Sequence, residues 1–151
     1  MRPRQATKAT LSFAIVASQY NAKYVNSLVE YATKELQALE PGALITLVQV
    51  PGAYEIPLLA QAAAESKRYQ AILALGVILE GKTAHADLIA RSVTQALLTI
   101  SLANRIPVIN SVLLLQNEEQ AQDRCLGPKL NRGLEAARTA VATARALEEL
   151  Q

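Results

Sequence analysis

A short segment in the middle of the chain combines residue types that bind anions and move protons. In Gly81-Lys82-Thr83-Ala84-His85, a glycine that permits close backbone approach is followed by a cation, a hydroxyl and an imidazole. Together with the free N–H groups of a following helix, the Thr83 hydroxyl suits a phosphate-sized anion. Local sequence favours a simple turn and helix cap equally well. The segment is neither G-x-x-x-x-G-K-[ST] nor G-x-G-x-x-G, so it predicts no nucleotide loop.

His85 is the only histidine in the chain. In the first turn of a predicted helix, the dipole favours a neutral imidazole that can accept a proton as a general base. A surface or capping histidine is the ordinary alternative, but the position after a buried strand favours a functional role. Arg124 is a second phosphate candidate, with a solvated surface arginine as its alternative.

The composition excludes several classes of protein. Of 151 residues, 51% are hydrophobic and 19% charged, which predicts one soluble globular domain. The dispersed net charge of +2 predicts no nucleic-acid surface, and no apolar stretch approaches the ~20 residues of a membrane span. The single cysteine, Cys125, excludes an internal disulfide and, with one histidine, a structural zinc site. It is most simply a packing residue, and it favours a reducing cytoplasm.

Apolar runs of strand length alternate with helical periodicity four times along the chain. This pattern predicts a three-layer, doubly wound, flavodoxin-like α/β fold, with about four parallel strands and helices on both faces. We expect an N-terminal arm at 1–10 and a single domain at 11–151. The predicted strands cover 11–18, 43–50, 71–79 and 106–115, and the predicted helices run from 21 to 39, from 54 to 67, from just after 83, from 117 and through the C-terminal segment.

Three details of the helices can be predicted. Asn21 is expected to cap the first helix with its side chain, and Pro57 is tolerable only in a first turn. Apolar stripes define the buried faces of the last two long helices. They consist of Leu88, Ile89, Val93, Ala96, Leu97 and Ile100 in one, and of Leu134, Ala137, Val141, Ala144 and Leu147 in the other.

In an open parallel sheet, ligands lie beyond the carboxyl ends of the strands. The polar segments at these ends are Ser18 to Asn21, Pro51 to Glu55, Gly81 to His85, and Leu115 to Asn117. Taken together and in this order, these segments resemble those of the 6,7-dimethyl-8-ribityllumazine synthase family. Residues 51–57 are similar to its P-G-A-[FY]-E-[IL]-P, and Leu75-Gly76 with 81–85 to its L-G … G-x-T-x-H. Residues 119–124 and 131–133 are similar to its E-Q-A-x-x-R and N-[KR]-G.

The resemblance implies a cytoplasmic transferase of riboflavin biosynthesis. It condenses 5-amino-6-ribitylaminouracil with 3,4-dihydroxy-2-butanone 4-phosphate to the lumazine, phosphate and water, without metal or cofactor. His85 is implied as the proton-transfer catalyst. The implied phosphate site consists of Gly81, Lys82, Thr83 and Arg124. Lys82 is implied to bind mainly through its backbone N–H. The implied pyrimidine and ribityl site is Tyr20, Asn21, Ala53, Tyr54, Glu55, Ile78, Leu79 and Asn110.

The resemblance also implies a homo-oligomer. The family forms pentamers, in some members assembled into a sixty-subunit shell, with Arg124 and residue 110 reaching a neighbour's site. Riboflavin synthase is the candidate protein partner. Gln19, Glu80 and Asn110 depart from the family, which commonly has basic residues at the first two positions and an aromatic residue at the third.

Two alternatives stay open. One is an archaeal-type riboflavin synthase, which should lack the G-x-T-x-H segment. The other is a non-catalytic lumazine-binding or shell-forming protein that has lost activity through the substitutions at Gln19 and Asn110.

Overall fold

The chain folds around a four-stranded parallel sheet. The computed structural model describes residues 9–82 and 84–151. Its strands are β1 (Ser12–Ser18), β2 (Leu44–Val50), β3 (Ala71–Leu79) and β4 (Val108–Leu115), in the order β2-β1-β3-β4. The helices are α1 (Ala22–Leu39), α2 (Ile56–Glu65), α3 (Ala86–Asn104), α4 (Glu118–Cys125) and α5 (Arg132–Glu149). The predicted flavodoxin-like α/β fold is therefore confirmed.

Helices cover both faces of the sheet. Alternate strand residues such as Phe13 and Leu73 pack with α1, α4 and α5, whereas Val16 and Ile72 pack with α2 and α3. Because successive strand residues point to opposite faces, a central strand buried on both sides must be apolar throughout. β3 meets that condition, with all of its residues buried.

The ends of the helices follow from local chemistry. α2 begins at Ile56 rather than Tyr54, because Ala53–Glu55 form a 3-10 turn. Pro57 lies in the first turn of α2, as predicted, where its missing N–H breaks no helical hydrogen bond. Asn117 and Asn131 cap α4 and α5 with their side chains.

Two predicted helix faces need correction. Leu88 was expected in the buried stripe of α3, but it is 62% exposed, because the stripe begins with Ala86 and continues through Val93. In α5, Leu134 is only partly buried, and the buried residues are small ones. They are Gly133, Ala136, Ala137, Ala140 and Ala144. At Gly133 the physical reason is the close approach of α5 to α1, because a Cβ atom there would lie 2.4 Å from the carbonyl oxygen of Leu28.

Some predictions fall outside the described residues. They concern Thr83 and most of the predicted arm, since residues 1–8 are not described. Within the described part of the chain, none of the helices combines the length and apolar character that crossing a membrane would require.

Candidate functional site

Backbone hydrogen bonds tie together the segments that follow the strands. After β1, the Tyr20 N–H donates to the carbonyl of Pro51, after β2, at 3.1 Å. After β3, the Glu80 N–H donates to the carbonyl of Leu115, the last residue of β4, at 2.8 Å. These bonds fix the relative positions of the segments at the carboxyl edge of the sheet, where the sequence places the candidate site.

Tyr20 lies against Gly52. A Cβ atom at position 52 would come within 2.9 Å of Cδ2 and Cε2 of the Tyr20 ring. The ring is nevertheless 67% exposed, so much of its surface is accessible to a ligand. An exposed aromatic ring supported from one side is suited to stacking on a planar heterocycle.

Asn21 has a different role from the one predicted. It occupies the N-cap position of α1 in the left-handed backbone region, at φ 59°, and its side chain makes no capping hydrogen bond. Instead, its Nδ2 donates to the carbonyl of Val77 in β3 at 2.7 Å. The side chain thus links the segment after β1 to the neighbouring strand and holds the backbone beside Tyr20 in place.

The segment after β2 is a compact turn around one carboxylate. The Gly52 N–H donates to Oε1 of Glu55 at 3.1 Å, and the Glu55 N–H donates to the Gly52 carbonyl at 3.2 Å. Ala53 is buried, so only its backbone can meet a ligand, whereas the Tyr54 side chain is exposed. Glu55 is half-buried and keeps its second oxygen for hydroxyl or amide donors.

The segment after β3 contains the anion-binding candidates. Gly81 adopts φ +83°, which glycine tolerates without strain. His85 was predicted in the first turn of α3, but it lies at the N-cap with φ 70°. Its carbonyl accepts the Ile89 N–H at 3.0 Å, and the residue is exposed to solvent. The imidazole can therefore meet a ligand at the edge of the sheet.

Lys82 makes contacts with both its backbone and its side chain. Its N–H donates to the Leu79 carbonyl over a long 3.4 Å, a weak bond that an anion could replace. Its Nζ lies 2.6 Å from Oε1 of Glu118, the first residue of α4. The Tyr24 hydroxyl donates to the other carboxylate oxygen.

These contacts change how two groups bind protons. Hydrogen bonds from Lys82 and Tyr24 hold the pKa of the Glu118 carboxyl below its usual range. The hydrogen bond to Glu118 in turn raises the pKa of Tyr24. Glu118 therefore stays ionised at neutral pH as the acceptor of both donors.

Ile78 and Leu79, predicted at the pocket wall, lie at the carboxyl end of β3 with their side chains on opposite faces. Both side chains are buried. Ile78 packs with the residues under α2 and α3, and Leu79 with those under α1. Alternation along the strand makes this unavoidable for adjacent residues.

Asn110 lies in β4, and Arg124 lies near the end of α4. Both line a hollow of about 680 Å³ bounded by residues of β4, α4 and α5. Asn110 pairs with Ala74 and precedes Leu115 by five residues, about 16 Å along a strand that rises roughly 3.3 Å per residue. Its Nδ2 donates to Oγ1 of Thr94 at 3.1 Å. Within one chain, Asn110 is therefore not at the edge that holds Tyr20.

Comparison with known proteins identifies the family. The family model described as 6,7-dimethyl-8-ribityllumazine synthase matches residues 10–148. The chain belongs to this family. Its membership makes it a transferase of riboflavin biosynthesis, as the resemblance implied.

Several curated relatives carry the same name and are similar over most of the chain. The relative from Polaromonas sp. is 39% identical over 92% of this chain and 88% of its own length. Those from Streptomyces coelicolor and Nitratidesulfovibrio vulgaris are 40% and 38% identical over 93% of this chain and cover 87% and 90% of their own lengths.

One residue beside the hollow was not predicted from the sequence as part of the site. Arg132 lines the same hollow as Arg124, and its guanidinium lies 2.6 Å from a carboxylate oxygen of Glu135. The signal was present in the sequence, since Arg132 is the basic residue of the N-[KR]-G motif. Because Glu135 lines the same hollow and pairs with Arg132, the two arginines and this carboxylate leave one net positive charge there.

Proposed function

We propose that the chain condenses 5-amino-6-ribitylaminouracil with 3,4-dihydroxy-2-butanone 4-phosphate. The amine and the ketone would form an imine, phosphate would leave, and ring closure would give 6,7-dimethyl-8-ribityllumazine, with release of two waters in all. The reaction calls for no metal or redox cofactor. The observation that carries the proposal is the family match together with the motifs it includes, P-G-A-Y-E-I-P after β2 and G-K-T-A-H after β3, the two strands that flank β1.

The proposed pyrimidine site follows β1 and β2. Tyr20 would stack on the planar ring, because it offers an exposed aromatic surface supported by Gly52. The free oxygen of Glu55 and the backbone of Ala53 and Tyr54 would bind amide and hydroxyl groups of the substrate. Asn21 would act from behind, by fixing the backbone next to Tyr20.

The proposed phosphate and proton-transfer site follows β3. Gly81, Lys82 and Thr83 would bind the phosphate, and His85 would transfer protons during imine formation, phosphate elimination and ring closure. Holding two substrates in register supplies most of the acceleration of such a reaction, and one general base adds about 10²-fold or more.

The separation of two groups within the chain supports a shared site. Asn110, Arg124 and Arg132 line the hollow beside β4, and the strand register keeps Asn110 away from the edge that holds Tyr20 within one chain. We propose that these three residues complete the site of a neighbouring copy in a homo-oligomer. The oligomer would be a pentamer, and pentamers could assemble further into a larger shell. Leu58 on α2 and Leu98 and Leu102 on α3 are exposed, as expected of apolar side chains that a second copy covers.

Three measurements test the proposal. Purified protein mixed with both substrates should develop the absorbance of the lumazine. Conversion of lumazine alone to riboflavin would favour the riboflavin synthase alternative. Binding of lumazine by protein that forms none from the two substrates would favour the non-catalytic alternative. Light scattering or native mass spectrometry should show an oligomer, whereas an active monomer would contradict the shared site.

A further inference from the structure

Glu118 connects three of the segments that follow the strands. It is the first residue of α4, after β4. One of its carboxylate oxygens lies 2.6 Å from the Nζ of Lys82, in the segment after β3. The other accepts the hydroxyl of Tyr24, near the start of α1, after β1. The Glu118 side chain thus contacts two residues that lie 36 and 94 positions before it in the sequence.

An ordinary ion pair on the surface would not indicate a function. The side chains of Lys82 and Glu118 are 62% and 50% exposed, and exposed pairs contribute little to stability. Two features distinguish this pair from Lys34–Glu30, which is also exposed and lies within α1. Tyr24 is only 5% exposed, so its hydroxyl holds the Glu118 carboxylate in a fixed place. The carboxylate also lies at a helix N-terminus, where N–H groups favour negative charge.

We propose that Glu118 is a positioning residue for the segment 81–85. By holding the ammonium of Lys82 against α4 and α1, it sets where the backbone at Gly81 and Lys82 stands relative to the phosphate. The inference rests on the proposed function of that segment as the phosphate site. It adds a residue outside the family motifs that define the segment, and it assigns Glu118 a role through Lys82 and not through the reacting atoms.

An opposite role for Glu118 makes a different prediction. If the carboxylate only neutralised Lys82, its removal would free a cation beside the phosphate and strengthen binding. If it positions the segment, its removal weakens binding although a positive charge is released. The sign of the change in affinity therefore decides between the two roles.

The test is Glu118→Gln, with Tyr24→Phe as a second variant that removes only the hydroxyl. For Glu118→Gln we expect the KM for the butanone phosphate to rise about fivefold, which corresponds to about 1 kcal/mol, the upper end for an exposed ion pair. The KM for the pyrimidine and the kcat should change less than about twofold. Tyr24→Phe should shift the same constant in the same direction. Glu30→Gln, which removes an exposed ion pair of α1, is the matched control and should behave as the wild type.

A double-mutant cycle shows whether Glu118 acts through Lys82. In a Lys82→Met background, Glu118→Gln should cause no further rise in KM, because the group that it holds is gone. Additive effects would overturn the proposal, as would an unchanged or lowered KM in Glu118→Gln alone. Calorimetric titration with inorganic phosphate gives a readout without turnover. If the wild type makes no lumazine, the proposed function fails, whereas weaker phosphate binding by Glu118→Gln than by the wild type still decides this inference.

Discussion

The ring of Tyr20 occupies the space that a side chain at position 52 would need. Two of its carbons would lie 2.9 Å from a Cβ atom on Gly52, closer than nonbonded carbons approach. The backbone of Gly52 is extended, at φ −134° and ψ 174°, which any residue can adopt. The glycine is therefore required by the neighbouring ring and not by its own backbone.

Gly52→Ala should weaken substrate binding more than it weakens the fold. Tyr20 is exposed and can swing away from a new methyl group at little cost in folding free energy, about 0.5 kcal/mol or less. The displaced ring would lose part of its stacking contact, so the KM for the pyrimidine should rise about fivefold. Steady-state kinetics with each substrate varied in turn, together with urea unfolding, measures both effects.

Tyr20→Leu is the control for this prediction, since it removes the ring and leaves Gly52 unchanged. Its KM for the pyrimidine should rise at least as far as that of Gly52→Ala. A normal KM in Gly52→Ala would mean that the position of the Tyr20 ring is irrelevant to binding.

Replacement of His85 should lower turnover without abolishing it. We expect kcat to fall about a hundredfold in His85→Asn, since substrate positioning remains while the general base is lost. Asparagine tolerates the left-handed backbone found at φ 70°, so this variant separates chemistry from strain. His85→Ala should show the same loss of turnover and an additional loss of stability of about 1 kcal/mol. Turnover equal to the wild type in His85→Asn would remove the imidazole from the mechanism.

The sequence predicted the order of the elements because each strand and helix carries its own periodic signal. β1 and β3 are continuous apolar runs, and Pro57 marks the first turn of α2. In α5 it predicted the buried Ala137 and Ala144, but it also predicted Leu134, which is only partly buried, since alanine and leucine are both apolar. The choice between them depends on the distance between α5 and α1, which is a tertiary property.

Only part of the candidate site could be predicted in the same way. Gly81 and His85 follow a buried strand, and that position alone brings them to the carboxyl edge. The contact between Lys82 and Glu118 joins residues on separate elements, and no local pattern marks it. The side-chain bond from Asn21 to Val77 is equally non-local, and for that reason the sequence predicts a capping side chain and a substrate contact at Asn21 but not this bond.

The contact between α1 and α5 predicts a large effect of Gly133→Ala. A Cβ atom at position 133 would lie 2.4 Å from the backbone oxygen of Leu28, which cannot move without shifting α1. We expect a loss of about 2–3 kcal/mol in the free energy of unfolding, as for overpacking of a core. Gly127→Ala is the matched control, because a Cβ atom there meets nothing within 4 Å. Equal stability of the two variants in urea unfolding would contradict the close contact of the helices.

Ionisation of Cys125 should lower the free energy of unfolding at alkaline pH, and this contribution can be measured separately. Burial raises the pKa of its thiol from 9.0 to about 11. The folded chain therefore holds this proton more tightly than the unfolded chain does. The resulting stability is fully present below pH 9 and is lost as the pH rises towards 11. Alkylating reagents at pH 8 should consequently label the thiol only after unfolding, since the thiolate is the reactive form.

Cys125→Ala separates this effect from the titration of other groups. The variant should be less stable at pH 8 by about 1 kcal/mol, because a small buried side chain is lost. Between pH 9 and 11 its stability should fall less steeply than that of the wild type, because the titrating thiol is absent. Urea unfolding of both proteins at pH 8, 9, 10 and 11 measures the two slopes. Parallel curves would show that the thiol does not titrate differently in the folded and unfolded chains.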